Sequence, residues 1–146
     1  MGRQKVEFIN LSQANSDALS AAARLAAYHQ DQGRRVLIAA MDQAEAEKMD
    51  QRLWTFEQGS FVPHAVAGAE DQDREPVLIA IKPGNPNNAD VLIFLHPPAA
   101  AISQDFSLAI LLIPREECPE LKACRDLYAK LRDAGQVEVA HITSLP

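Results

Sequence analysis

The chain has 146 residues, a net charge of −6 and 47% apolar residues, the profile of a globular chain rather than a disordered one. No apolar run approaches the roughly 18 residues of a membrane-crossing helix. The acidic balance also argues against direct nucleic-acid binding, where Lys and Arg must neutralise phosphates. The length reads as one domain, residues 1–146, and a domain of this size buries roughly 70% of its unfolded surface. Since 24 residues are alanine, the bulky part of the core must be concentrated in a few segments.

In chain order, Lys5 to Asn10 places Val6, Phe8 and Ile9 among polar residues and reads as a strand. Its flanking start lacks a secretory apolar core, and Val6 breaks a myristoylation pattern, so a cytoplasmic protein is expected. Ser16-Asp17 caps a helix to about Gln32, with Leu19, Ala22, Ala23, Ala26 and Ala27 as its small-residue face and Gly33 as its stop. Val36 to Ala40 is a continuous apolar run, the signature of a strand covered on both faces. Asp42 then caps a helix over about Gln43 to Trp54. Phe56 to Gly68 is irregular, Glu70 to Glu75 is an acidic loop, and Pro76 to Ile81 is a second buried strand. Lys82 to Asn88, rich in Pro and Asn, is a loop. Val91 to Leu95 and Leu108 to Ile113 are strands on either side of Pro97-Pro98. A last helix runs from Pro119 to Ala134, ending at Gly135, and Val137 to Ile142 closes as a strand. Cys118 and Cys124, six residues apart on that helix, point to different faces, so no disulfide is expected.

Buried strands alternating with helices predict a three-layer α/β/α sandwich on a mainly parallel, Rossmann-like sheet. Helices are few for the strands, so some strands must pair antiparallel or connect through loops. The usual catalytic parts do not follow. The glycines at 2, 33, 59, 68, 84 and 135 give neither a dinucleotide fingerprint nor a phosphate loop. Gly59-Ser60-Phe61 fails as a nucleophile elbow. His29, His64, His96 and His141 are scattered, and no Cys/His pair has zinc-ligand spacing. Asp42, Asp50, Asp90 and Asp105 read as solvated surface. No cofactor or metal is expected. A nucleotide-handling enzyme on the same sheet is the rival reading.

Two features stand out. Among eight aromatic residues, Trp54, Phe56 and Phe61 fall close together. Ala46, Met49 and Leu53 form one helix stripe, and Trp54 projects about 100° from its middle. The cluster is either a satellite core at a sheet edge or an aromatic protein-binding patch. On the last helix, Leu121, Cys124, Leu127 and Leu131 form a buried stripe. Lys122, Arg125, Ala129 and Arg132 form a basic stripe beside it, with Tyr128 on the border. This face either serves solubility or clamps an acidic ligand against an apolar ledge.

Arg34-Arg35-Val-Leu-Ile-Ala-Ala-Met-Asp-Gln-Ala, then Asp50-Gln-Arg-Leu-Trp54, then Ser60-Phe-Val-Pro-His-Ala-Val-Ala-Gly68 resemble the chi subunit of bacterial DNA polymerase III. The likeness continues through Val77-Leu78-Ile79, Asp90-Val-Leu-Ile, Ile113-Pro114 and the Arg125…Tyr128…Arg132 helix end. The resemblance implies a small non-catalytic α/β adaptor. Its partners would be the psi subunit of the clamp loader and the acidic C-terminal tail of single-stranded DNA-binding protein, with a repair helicase as a further partner in some bacteria. It assigns Trp54 and Phe61 to psi, and Arg125 and Tyr128, with Ile113 in an apolar pocket, to the tail. Where the family pattern has a lysine after the tyrosine, this chain has Ala129, so Lys122 or Arg132 is expected to supply that charge.

Overall fold

The computed structural model describes residues 3–57, 61–68 and 75–146. Met1, Gly2, Gly59, Ser60 and nearly all of the acidic stretch Glu70 to Glu75 lie outside the described residues. Seven strands form one sheet: β1 (Lys5–Asn10), β2 (Val36–Ala39), β3 (His64–Val66), β4 (Val77–Ala80), β5 (Val91–Phe94), β6 (Leu108–Ile113) and β7 (Glu138–Ile142). Their order is β3-β4-β2-β5-β6-β1-β7, and every neighbouring pair is parallel. No antiparallel pair forms among the described strands. The chain takes the other route open to it and recrosses the sheet through segments 81–90 and 95–107. A four-residue strand is only about 13 Å long, so segments of that length return easily to its starting edge without a helix.

Alternation along the strands sorts the core into two faces. Val36, Ile38, Val77, Ile79, Val91, Ile93, Ile110 and Leu112 face α2 (Ala18–Asp31) and α3 (Gln43–Thr55). Val6, Phe8, Ala109 and Leu111 face the other way, against Leu127, Tyr128 and Leu131 of α4 (Pro119–Ala134). Leu37, Leu78 and Leu92 share that second face but meet Phe106 and Ala89 from loops instead of a helix. There the cover leaves an apolar hollow of about 660 Å³, with Met41, Ile81, His96 and Pro97 on its walls. The predicted sandwich is therefore present, with an outer layer that is half helix and half loop.

Local chemistry sets the helix ends. Asp17 caps α2 by accepting the Ser20 N–H at 2.7 Å, and Asp42 caps α3 by accepting from Glu45 at 2.8 Å. Gly135 closes α4 at φ 68°, a left-handed conformation that glycine adopts without steric cost. The buried face of α2 is broader than its predicted stripe. Ala21 and Leu25 are buried with Ala22, Ala23 and Ala26, while Leu19 and Ala27 are half-buried, because α2 packs on both the sheet and α3.

Two short elements were not anticipated. Helix α1 (Leu11–Ala14) is held between two asparagines: the Asn10 side chain accepts from Gln13 N–H, and Asn15 turns left-handed at φ 54°. Strand β3 begins just after Pro63 at the sheet edge, where an imino acid costs no ladder bond. Cys118 lies at the N-cap of α4 rather than inside the helix, and both thiols are free. Burial first, then Glu120 and Cys118, pushes the Cys124 thiol up to about 11, leaving it a packing group.

Candidate functional site

The aromatic patch is built from α3 outward. Ala46, Met49 and Leu53 are buried against the sheet. Trp54, one residue on, is carried off that stripe and left 55% exposed; Phe61 is 68% exposed. Their ring centroids are 6.0 Å apart. Behind them lies a group that sequence reasoning did not single out. The His64 side chain is 1% exposed, and its ring meets Trp54 edge-on at 4.8 Å. His64 Nδ1 donates to the Val62 carbonyl at 2.7 Å, since a carbonyl only accepts. His64 Nε2 lies 3.0 Å from Asp50 Oδ1, close enough for an ion pair but off the axis of a hydrogen bond. The available signal was the i, i+4 spacing of Asp50 and Trp54, which puts both on one side of α3. Beyond Phe61, a groove of about 300 Å³ runs past Phe56 to Tyr28, an exposed aromatic of α2 that was also missed.

The basic face is built on α4. Leu121 and Cys124 are buried, whereas Leu127 and Leu131 are only half-buried, so the apolar stripe opens toward the helix C-terminus. Tyr128 stands edge-on to Phe8 at 5.2 Å, which fixes its ring at the border of the core. Ile113, half-buried at the end of β6, joins the same apolar cluster. Arg132 places its guanidinium carbon 5.8 Å from the Tyr128 ring centre, a cation–π contact. Each cation of the stripe has an acidic neighbour: Arg125 with Glu117 at 3.4 Å, Lys122 with Asp126 at 3.8 Å, and Arg132 with Asp133 at 3.3 Å. Exposed pairs of this kind contribute about 0–1 kcal/mol each, so an incoming carboxylate can displace them.

The structure brings Trp54 and Phe61 together, and separately Arg125, Tyr128, Ile113, Lys122 and Arg132. It does not bring the two sets together, because α3 and α4 cover opposite faces of the sheet. The aspartates have separate local surroundings: Asp42 caps α3, Asp50 faces His64, Asp90 accepts from the Arg35 N–H at 3.2 Å, and Asp105 is exposed. Among the described residues no group of three His, Cys, Asp or Glu side chains could hold a metal ion. Among the described residues no helix is long and apolar enough to cross a membrane.

The class defined by this arrangement is a parallel α/β sandwich with two exposed side-chain surfaces on opposite faces. Within that class, residues 3–138 match the family model of the DNA polymerase III chi subunit, HolC, and the chain belongs to that family. It is similar to DNA polymerase III subunit chi of Escherichia coli K12, at 35% identity over 124 residues, covering 82% of this chain and 84% of that protein. The chi subunit of Pseudomonas aeruginosa is 32% identical over 133 residues, covering 90% and 91%. That of Haemophilus influenzae is 32% identical over 115 residues, covering 78% and 79%. The family places the chain in an accessory role in DNA replication.

Proposed function

We propose that this chain acts as one chi-like domain, residues 1–146, and is a cytoplasmic, non-catalytic adaptor of the replicative clamp loader. Trp54 and Phe61 dock the psi subunit. Arg125 and Tyr128, with Ile113, Lys122 and Arg132, grip the acidic C-terminal tail of single-stranded DNA-binding protein. The observation that carries this reading is the exposure of two chemically different patches on opposite faces of one sheet, in a member of the chi family. Opposed faces let both partners bind at once, so each contact raises the effective concentration of the next. A tail of aspartates ending in an aromatic carboxylate needs a cation for charge-assisted bonds and an apolar ledge for the ring. Arg125 offers the first, and Tyr128 with Ile113 offers the second. The net charge of −6 supports recruitment through protein rather than through DNA.

The test is calorimetry with purified psi and with a tail peptide, each alone and then in sequence. Additive binding of both supports the adaptor. Mutual exclusion, or no binding of psi with capture of a repair helicase instead, rejects the assignment of the aromatic surface to psi. Heat on titration with nucleotides would instead favour the rival enzyme reading.

A further inference from the structure

His96 follows β5 at the carboxyl edge of the sheet, between helices that lie on opposite faces. Its Nδ1 is 2.9 Å from Glu120 Oε2 in the first turn of α4. Its Nε2 is bonded to Glu45 Oε2 in the first turn of α3. Ionised carboxylates only accept hydrogen bonds, and a neutral imidazole donates from one nitrogen alone. Both bonds are therefore satisfied together only by the imidazolium. The carboxylates suit their positions, since the positive ends of two helix dipoles favour them. Partial burial opposes the charge on His96, but its hydrogen bonds to Glu45 and Glu120, and their negative charge, outweigh it and hold the imidazole above its usual range.

The two ends of this bridge are unequal. Glu45 is the more buried carboxylate, and its Oε1 also accepts the Met41 N–H at 2.8 Å. Glu120 is half exposed and makes no other side-chain hydrogen bond or ion pair among the described residues. Helix α4 also lacks a side-chain cap, because Cys118 at its N-cap makes no capping hydrogen bond. Asp42, the cap of α3, and Lys48 line a pocket with His96 on one side, Lys82 lines the apolar hollow with it on the other, and on α4 the Cys124 thiol interacts with Glu120 and Cys118.

We propose that Glu45–His96–Glu120 is a proton-operated clip that fastens the first turns of α3 and α4 across the sheet edge. With His96 charged, both helices are tied. When His96 is neutral, Glu45 keeps the remaining donor and Glu120 is released, loosening the start of α4. That helix carries Arg125 and Tyr128, so the clip adjusts the order of the basic face without changing its charge. The contribution to stability is complete below 6.5, the unfolded His value, and is lost as pH rises through the higher folded value.

The experiment is a titration of the full chain by NMR over about pH 5 to 9, following the His96 ring and the backbone amides of residues 43–46 and 119–122. The clip requires His96 to titrate above 6.5, with the amides of 119–122 following the same midpoint. Glu120→Gln, an exposed change that leaves the fold intact, should lower that midpoint and abolish the response of α4 while α3 still responds. His96→Gln should abolish both responses. A His96 midpoint at or below 6.5, or amides of 119–122 that do not follow it, overturns the proposal.

Discussion

Trp54 rests edge-on against the His64 imidazole, with ring centroids 4.8 Å apart, so the single, largely exposed indole of the chain is backed by a nearly inaccessible ring. An exposed aromatic held in this way loses little side-chain freedom on docking, which lowers the entropic cost of binding. The same relationship explains how Trp54 stays out of the main core although it adjoins Leu53, a fully buried residue.

Replacing Trp54 or Phe61 by alanine should separate binding from stability. Neither ring is deeply buried, so urea melts should shift by less than about 1 kcal/mol, against about 3–5 for a core aromatic. Psi affinity should fall by about 2 kcal/mol or more in each variant. Large stability losses with psi binding preserved would assign the patch to the core and the interface to another surface.

Asp50→Ala should act on the support beneath the patch. It leaves His64 Nε2 buried with no carboxylate beside it. What is lost is a close electrostatic contact to a partly exposed carboxylate rather than an aligned hydrogen bond, so a urea melt should register a loss of at most about 1 kcal/mol. The Trp54 emission should shift as well, because its neighbour is no longer fixed. An unchanged melt and spectrum would mean that Asp50 does not hold His64.

On α4, Arg125→Ala should weaken binding of an acidic tail peptide by about 1.5–3 kcal/mol, the range of a hydrogen bond to a charged group. Glu117 competes for the same guanidinium at 3.4 Å, so Glu117→Gln should strengthen tail binding, by at most about 1 kcal/mol. Ala129→Lys should act in the same direction by adding a cation beside Tyr128. Calorimetry at two salt concentrations checks all three, since contacts between exposed charges weaken as salt rises. Equal affinity of wild type and Arg125→Ala would remove the basic face from the tail site.

Acid should destabilise the fold through His29. Burial, then the Arg34 guanidinium, pushes this imidazole down from 6.5 to about 4. Its Nδ1 accepts from Arg34 at 3.1 Å, which requires the neutral ring. The unfolded chain binds the proton more readily, so the contribution of neutral His29 is complete above 6.5 and is lost as pH falls toward about 4. The difference corresponds to at most about 3 kcal/mol. Melts between pH 7 and 4.5 should show a shallower acid slope in His29→Gln than in wild type. Parallel slopes would place the acid sensitivity elsewhere.

Periodicity and capping, both local properties, were enough to locate most elements. The runs at Val36, Val77, Val91 and Leu108 are apolar on consecutive residues, and each became a strand with both faces covered. Asp42 set the start of α3 and Gly135 the end of α4 because a cap depends on a few adjacent residues. The angular offset of Trp54 from the Leu53 stripe was likewise readable, since helix geometry fixes it. Strand order was not readable. Segments 81–90 and 95–107 could have reversed the chain or recrossed it, and only the packed sheet made every pair parallel. The side-chain partnerships also came from tertiary structure. Phe8 beneath Tyr128 and Glu45 opposite Glu120 at His96 join residues far apart in the chain. A sequence records which face of a segment is apolar, whereas the side chain across from that face depends on which distant segment packs there.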